Sequence, residues 1–415
     1  MIDVLVIGAG LAGLQCARVL ARGGRTVQVV EASDDIGGRV RTDVLDGFRC
    51  DRGFQLVNPA YPDAKSQLDL RALDLRAFGR GIAVRRADGL AELGLDPKSL
   101  MGALRTPYAD VRQLTAFARW IAPALGSVPR LLTTPDATLA ESFDAAGFHG
   151  TLRDEVFEPF LAGVLLETQG ATSSRFARLL IRSFALGTPA LPAQGMSAIP
   201  LQLAARLPRP VELDTPVTGL AREGDHWVAQ TPAGERAATT VVVATDPVSV
   251  GALAPVPVPA MKGVITWWFS TDVAPTDSRY LAVDARPDAG PVVNTAVMSN
   301  VAPDYAPAGQ HLVQASAVLP KGADCPPVEV VREQLAGIYD HPTDDWRLLT
   351  THVIRDALPV MPPPLLVRKQ IRLGDGLYVC GDHRDTASIQ GALVSGRRTA
   401  EVVLASCRML TLKGS

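Results

Sequence analysis

The first thirty residues alternate between apolar runs and glycine-rich breaks. Residues 2–7 (IDVLVI) form a short continuous apolar run, residues 11–22 repeat apolar positions at helical spacing, and residues 27–30 (VQVV) form a second apolar run. Short continuous apolar runs are typical of parallel strands buried on both faces. The pattern therefore predicts a strand, a helix and a second, parallel strand at the start of an α/β domain.

Three glycines separate the first apolar run from the helix, in the spacing GxGxxG. Gly8 allows a sharp turn, Gly10 leaves the backbone open to a pyrophosphate, and Gly13 lets the helix lie close to the sheet. The backbone N–H groups of the first helical turn, around Leu11 and Ala12, then face an anion. The spacing predicts a dinucleotide site.

A carboxylate ends the second strand. Glu31, followed by Ala32, lies at the distance from the glycines at which an acid accepts hydrogen bonds from the ribose hydroxyls. An acid there also disfavours a 2′-phosphate. The alternative is a doubly wound domain that binds no nucleotide.

A second glycine pair and two arginines come next, in EASDDIGGRVRT. Gly38 and its neighbour bring the backbone against the pyrophosphate a second time, and Arg39 and Arg41 supply forked donors that match phosphate oxygens. Ordinary surface charge is the alternative for the two arginines.

The order GxGxxG, Glu, GGRxRT resembles the flavin-containing amine oxidase superfamily. The resemblance implies an α/β fold with a Rossmann-like FAD-binding domain of the GR2 type and a discontinuous α+β substrate domain. It places Gly53, Phe54 and Gln55 beside the isoalloxazine ring of an FAD. It also places Val217 beside the adenine and Ala244 near the pyrophosphate.

The C-terminal segment LYVCGDHRDTASIQGALVSG resembles the last flavin motif of the same family. The resemblance implies that Asp382, after Gly381, bonds the ribityl chain. A helix beginning with Ile389, Gln390 and Ala392 would point its N-terminus at the pyrimidine edge of the ring, where a positive dipole end favours the reduced flavin. Asp382 could instead cap a turn.

Length and composition agree with two domains, because 415 residues with 47% hydrophobic content can build two substantial cores. We assign residues 1–58, 195–258 and 366–415 to the FAD-binding domain. The two insertions, 59–194 and 259–365, form the predicted substrate-binding domain.

Charge and cysteine content exclude several classes of function. A net charge of −2 gives no reason to expect nucleic-acid binding. No basic segment precedes the first strand and no apolar run is long enough to span a bilayer, which predicts a cytoplasmic protein. Peripheral membrane contact stays open, although no helix exceeds ordinary amphipathicity. Five scattered cysteines form no CxxC pair and the histidines lack ligand spacing, so we expect no metal; the sequence does not give the oligomeric state.

Two branches of the superfamily compete for the activity. Amine oxidases of this family commonly place an aromatic residue where this chain has Ile389, and many attach FAD through a cysteine that is missing here, so we expect non-covalent FAD. Residues 357–359 (ALP) resemble a segment of protoporphyrinogen oxidases and phytoene desaturases. The leading hypothesis is hydride removal from a carbon of an apolar small-molecule substrate to flavin N5, with reoxidation by oxygen or another acceptor.

Three alternatives remain. A flavin amine oxidase would release an imine and peroxide, and a non-catalytic FAD-binding protein would keep the cofactor motifs beside a filled cavity. An NAD-dependent dehydrogenase would leave GGRVRT without a role.

Lys262 is the one catalytic candidate, because amine oxidases often hold a lysine near flavin N5 at the start of the corresponding strand. A two-residue shift in that alignment would make it a surface residue. His383 lies next to Asp382 and is predicted either to reach the flavin or substrate, or to cap a turn or face solvent.

Overall fold

The computed structural model describes residues 2–94, 97–104 and 106–413, with the backbone alone for residues 97, 98, 100 and 407–413. The strands, in chain order, are β1 (Ile2–Ile7), β2 (Val27–Val30), β3 (Thr42–Leu45), β4 (Phe48–Asp51), β5 (Leu75–Ala77), β6 (Gly81–Arg86), β7 (Gly89–Gly94), β8 (Ala190–Pro192), β9 (Gly219–Glu223), β10 (His226–Gln230), β11 (Arg236–Val243), β12 (Met261–Thr271), β13 (Leu281–Asp284), β14 (Val292–Val297), β15 (His311–Leu319), β16 (Arg347–Pro359), β17 (Arg372–Gly374) and β18 (Leu377–Val379). The α-helices are α1 (Leu11–Arg22), α2 (Pro62–Gln67), α3 (Pro97–Ala103), α4 (Val111–Leu125), α5 (Val128–Leu131), α6 (Leu139–Ala145), α7 (Glu158–Leu165), α8 (Ser174–Leu186), α9 (Ala198–Ala204), α10 (Val250–Leu253), α11 (Met298–Val301), α12 (Val328–Tyr339) and α13 (Ile389–Lys413).

The first sheet has the strand order β17-β18-β11-β1-β2. β1 pairs in parallel with β2 and β11, and β18 pairs in parallel with β11, so the predicted strand–helix–strand start is present. β9 and β10 extend the sheet as antiparallel strands beside β11. Because parallel strands end at one edge, the turn after β1 and the loop after β18 lie close together.

The second sheet has the order β16-β12-β15-β14-β13-β6-β7 and is antiparallel except where β13 pairs with β6. Neighbouring side chains on β12 point to opposite faces. Trp267 packs with α12, which covers one face, whereas Trp268 belongs to the core shared with α1. Both indoles are fully buried.

The strands of the first sheet come from the segments assigned to the FAD-binding domain, and those of the second sheet come from the two insertions. One helix departs from that division, because α2, expected in the substrate-binding domain, packs on α13 and α1. Arg18 of α1 donates to the carbonyl of Gln67 at 2.7 Å, and Arg397 of α13 forms an ion pair with Asp63 at 2.8 Å. These polar contacts fix α2 against the first sheet's helices.

Asp51, at the end of β4, ties the two parts of the fold together. Its carboxylate accepts hydrogen bonds from the Thr42 hydroxyl at 2.5 Å, the Met196 backbone N–H at 3.0 Å and the Tyr305 hydroxyl at 2.9 Å. Burial raises the pKa of Asp51 to about 6, against the effect of these donors. The three donors join the β3–β4 hairpin, the segment before α9 and the turn after α11.

The helices α1 and α13 pack at very short range. A side chain at Gly396 of α13 would collide with the backbone carbonyl of Ala12, and one at Gly13 would collide with the carbonyl of Gly8. The missing side chains let α13 pack on α1 and α1 pack on β1. The N-terminal and C-terminal motifs are thereby brought to the same place.

Candidate functional site

The turn after β1 has the geometry that its glycines predict. Gly8 adopts φ +106°, and a Cβ there would lie 2.7 Å from the carbonyl oxygen of Ala244, at the end of β11. A Cβ on Gly10, in contrast, would meet no described atom within 4 Å. The backbone at Gly10 is therefore open on the side where a ligand would approach.

Helix α1 begins at this turn without a side-chain cap. Gly10 is the N-cap residue, and no acidic residue occupies the first turn, which begins with Leu11 and Ala12. The N–H groups there have no competing carboxylate, and the helix dipole adds positive potential. This combination fits a pyrophosphate.

Glu31 lies beside the same turn and is 8% exposed. One carboxylate oxygen accepts from the Ala9 backbone N–H at 2.6 Å, and the other accepts from the Ser33 hydroxyl at 2.6 Å. Ala32 lies in the chain between Glu31 and Ser33. The Thr215 backbone N–H donates to the Glu31 carbonyl at 2.8 Å, which brings the segment containing Val217 next to the end of β2.

The second glycine pair meets the first. The Gly37 backbone N–H donates to the carbonyl of Ala9 at 2.9 Å, and a Cβ on Gly38 would lie 3.4 Å from the Cα of Gly10. Arg41 forms an ion pair with Asp34 at 2.9 Å, and its role in phosphate binding stays a prediction. The two glycine segments therefore form one surface.

Arg39 and Asp382 form an ion pair across the molecule, with Nη2 and Oδ1 2.7 Å apart. The Arg39 Nη1 donates to the Ala357 carbonyl of β16 at 2.6 Å. Burial disfavours the charge of Arg39, but Asp382 outweighs it and raises the pKa of the guanidinium. The N-terminal and C-terminal motifs are thus in direct contact.

The last motif forms a short turn followed by α13. The Gly381 backbone N–H donates to the Ser395 hydroxyl at 3.1 Å. The backbone N–H of Ala392 donates to the Ser388 carbonyl at 3.0 Å, which closes the first turn of the helix. The Gln390 side chain accepts from the Asp63 N–H at 3.1 Å, so it points to α2.

A cavity of about 450 Å³ lies against the second sheet, next to these motifs. Arg39, Gly53, Phe54, Gln55 and Ile389 contribute one end of it. Most of the remaining wall is apolar, formed by Leu56, Tyr61, Phe78, Phe160, Val164, Leu166, Leu180, Phe184, Ala185, Pro189, Val264, Leu281, Ile354, Ala357, Leu358 and Ala387. The wall residues that the structure describes include no Asp or Glu.

Sequence reasoning missed most of this wall. Its residues come from loops, from helices α7 and α8 and from strands of the second sheet, far apart along the chain. An apolar position that lines a cavity has the same spacing as one that packs in a core. The ALP segment was the only local signal, since Ala357 and Leu358 line the cavity.

Lys262 is held by groups of the substrate-binding segments. Its Nζ lies 2.9 Å from Glu167, 2.8 Å from the Thr172 hydroxyl and 3.0 Å from the Leu165 carbonyl. Burial lowers the pKa of the ammonium, against the effect of Glu167. Val264, two residues along β12, lines the cavity, whereas Lys262 does not. A catalytic role for Lys262 stays a prediction.

His383 is buried, at 2% exposure, and neither ring nitrogen has a hydrogen-bond partner among the described residues. Burial lowers the pKa of the imidazole to about 4, and the neighbouring cations act in the same direction. The ring is therefore neutral at physiological pH. This burial contradicts a solvent-exposed position.

The residues present fit a flavin with an attached adenine nucleotide. The open backbone at Gly10 and the uncapped helix suit the pyrophosphate. Gln55 Oε1, at the ring end of the cavity, is buried without a partner among the described residues and is free to accept a hydrogen bond. No described group of three or more His, Cys, Asp and Glu side chains is arranged to hold a metal ion.

The glycine turn, the Arg39–Asp382 ion pair and the adjoining cavity together have the form of a dinucleotide site beside a mainly apolar pocket. The family model for flavin containing amine oxidoreductases matches residues 11–404, so the chain belongs to that family and uses a flavin cofactor.

The individual relatives differ in their names and in the share of this chain that each one matches. Putrescine oxidase of Kocuria rosea is 29% identical over 54% of this chain, which spans about half of that protein's length. Hydroxysqualene dehydroxylase of Rhodopseudomonas palustris is 26% identical over 98% of this chain and 99% of its own. A protoporphyrinogen oxidase-like protein of Exiguobacterium sp. 255-15 superposes with a TM-score of 0.71 at 18% identity, over 97% and 99% of the two chains.

Removing Asp382 should weaken flavin binding. We expect Asp382→Ala to raise the dissociation constant for FAD by roughly tenfold or more, because a charge-assisted hydrogen-bonding group is lost and Arg39 is left unpaired. Fluorescence titration of the apoprotein measures this change. Asp46→Ala, which breaks the exposed Asp46–Arg347 pair, is the control. Equal FAD affinity in the two variants would contradict the assignment of Asp382.

His383 should make the stability pH-dependent. Its pKa is about 4 in the folded chain and about 6.5 in the unfolded chain, so its stabilising effect is complete above pH 6.5 and is lost as the pH falls towards 4. Relative to His383→Met, the wild type should lose about 2 kcal/mol of unfolding free energy between neutral pH and pH 5. Urea unfolding at both pH values measures this. The exposed His149→Met is the control, and parallel pH profiles for wild type and His383→Met would refute the prediction.

Replacing Lys262 separates a structural from a catalytic role. Lys262→Met removes the ion pair of the Glu167 carboxylate, which is 13% exposed and keeps its hydrogen bond from the Thr172 N–H, and should lower the unfolding free energy by about 2 kcal/mol. The double variant with Glu167→Gln should recover part of that loss. The rate of flavin reduction in the double variant then tests catalysis, because a structural residue would leave that rate close to the wild-type value.

Proposed function

We propose that this chain is an FAD-dependent oxidoreductase that removes a hydride from a carbon of an apolar small molecule. The observation that carries the proposal is the cavity, whose described wall is mainly apolar and contains no carboxylate. A mainly apolar wall binds and orients an uncharged hydrocarbon-like molecule by burying its surface. The GR2-type description of the FAD-binding domain, the two-domain division and the cytoplasmic location belong to the same proposal.

The bound flavin supplies the hydride acceptor. The chain's own residues supply position and exclusion of water. Arg39 and Asp382 fix the two cofactor segments against each other. Gly53 lets its segment approach Ile354 of β16 closely, since a Cβ at Gly53 would lie 3.2 Å from that side chain. The N-terminus of α13, near Ser388 and Ile389, adds positive potential at the end of the cavity where Arg39 lies.

The wall offers no general base at neutral pH. Burial raises the pKa of Tyr61 to about 12, so its hydroxyl stays protonated and acts as a hydrogen-bond donor. Asn294 and Ser316 add neutral polar groups to the wall. These groups orient a substrate. The proton lost together with the hydride must therefore leave from a carbon position that is already acidic, or pass to solvent, without a base from the wall.

We also propose that FAD is held non-covalently. No described cysteine lines the cavity: Cys16, Cys50 and Cys380 are buried elsewhere, and Cys325 is exposed. The similarity to hydroxysqualene dehydroxylase over nearly the whole chain supports an apolar, isoprenoid-like substrate.

An amine substrate is the second candidate, favoured by the similarity to putrescine oxidase. A diamine carries a distal ammonium, which is held by a carboxylate or by aromatic faces. The described wall contains no carboxylate, and its aromatic rings share the cavity with two cations, Arg39 and Arg80, which repel an ammonium. Ile389 occupies the position that the family commonly gives to an aromatic residue. These observations support the apolar substrate over the amine.

Anaerobic mixing tests the proposal. The FAD-loaded protein is mixed with an isoprenoid polyene, with a porphyrinogen, and with putrescine or a monoamine. We expect the visible flavin band to bleach with an apolar compound and to persist with the amines. Bleaching by amines, with peroxide released on admission of oxygen, would instead establish an amine oxidase. Persistence with every compound would indicate a non-catalytic flavoprotein.

A further inference from the structure

Helix α4 exposes an apolar stripe to solvent. Val111, Leu114, Ala118, Ala122 and Leu125 recur at spacings of three and four residues, which places them on one side of the helix. Val111 is 74% exposed and Leu125 is 68% exposed. We call these five residues the α4 face.

The α4 face is separate from the packing surface of the same helix. Ala116, Trp120 and Ala124 occupy the opposite side and are buried. The helix is thus apolar on two sides, and the core uses only one of them. An exposed apolar strip of this length is typical of a surface that contacts a partner or a membrane.

More exposed aliphatic side chains surround the stripe. Met101 and Leu104 precede α4, and Val128 follows it, all at least 38% exposed. Six of the sixteen large apolar side chains that are exposed in the described part of the chain fall between residues 101 and 128. The concentration marks this segment as unlike the rest of the surface.

The charge around the α4 face is positive. Residues 111–135 contain no Asp or Glu but carry Arg112, Arg119 and Arg130. None of the three arginines forms an ion pair with a described residue. Asp110 caps the helix, accepting from the Arg112 N–H at 2.7 Å.

Acids on the neighbouring helix α6 are already engaged. Asp144 pairs with Arg153, and Glu141 accepts hydrogen bonds from Thr138 in a capping box. Arg119 donates to the Ala146 carbonyl at 3.1 Å, and Arg112 and Arg130 form no ion pair with these acids.

Helix α8, which contributes to the cavity wall, packs beside α4 on the buried side of that helix. Arg178 of α8 donates to the Trp120 carbonyl at 2.9 Å, and Arg182 donates to the Ala124 carbonyl, so α8 ends beside the C-terminal end of α4. Phe184 and Ala185 line the cavity, and the next residue, Leu186, is 64% exposed. Leu186 thus adds one more exposed aliphatic side chain, at the end of α8.

We propose that the α4 face docks this protein on an anionic lipid bilayer. Exposed aliphatic side chains enter the interface and the arginines pair with lipid phosphates, as in interfacial amphipathic helices. A symmetric dimer through this face would bring identical arginines of two copies together, which disfavours self-association. The proposal takes up the peripheral membrane contact that the sequence left open. The docking does not depend on the flavin reaction.

Vesicle co-sedimentation of the FAD-loaded full chain tests the proposal, with phosphatidylcholine vesicles that contain or lack phosphatidylglycerol. We expect binding to the anionic vesicles and little binding to the neutral ones, with a loss of binding at high salt. Arg112→Gln with Arg130→Gln should weaken anionic binding by roughly tenfold or more, since each basic residue near such a surface contributes about fivefold.

An apolar triple variant completes the test. Val111→Ser, Leu114→Ser and Leu125→Ser together should abolish vesicle binding, whereas the control Leu201→Ser, Val273→Ser and Leu366→Ser, at comparably exposed positions, should retain it. An unchanged visible spectrum and melting temperature show that each variant is folded. Absence of binding to anionic vesicles, or equal loss in the control, would overturn the proposal. So would a dimer that the α4-face variant converts to a monomer.

Discussion

The ion pair between Arg39 and Asp382 connects residues 343 positions apart, and the position of the cavity depends on it. The same guanidinium binds the Ala357 carbonyl of β16, so one side chain links the N-terminal motif, the C-terminal motif and the second sheet. Burial alone would penalise this charge, and the partner carboxylate compensates for the penalty. This end of the cavity is therefore bordered by an ion pair in which Asp382 is buried and Arg39 is 29% exposed.

Close backbone approach makes that contact attainable. Helix α13 reaches α1 because Gly396 carries no side chain, and α1 reaches β1 because Gly13 carries none. The local motif around Gly8, Gly10 and Gly13 could be predicted from sequence, because each glycine answers a requirement of one turn. The role of Gly396 could not, because it depends on where a distant helix lies.

The distinction between a local requirement and a contact with a distant element also explains which parts of the site could be predicted from sequence. Glu31, Gly38 and Asp382 follow strands whose order fixes their location, and all lie near the glycine turn. Lys262 was chosen from an alignment of a strand, and its ammonium instead pairs with Glu167 from a distant loop. The cavity wall and the exposed α4 face have no local signature, since burial at an apolar position depends on the tertiary structure. No helix in the described residues is long and apolar enough to cross a bilayer.

The central claim is that both ends of the chain hold one FAD without a covalent bond. Acid denaturation of the purified protein, followed by analysis of supernatant and pellet, tests it most directly. The account predicts about one FAD per chain, all of it in the supernatant. A colourless protein, a nicotinamide nucleotide in place of the flavin, or a flavin that stays in the pellet would contradict it.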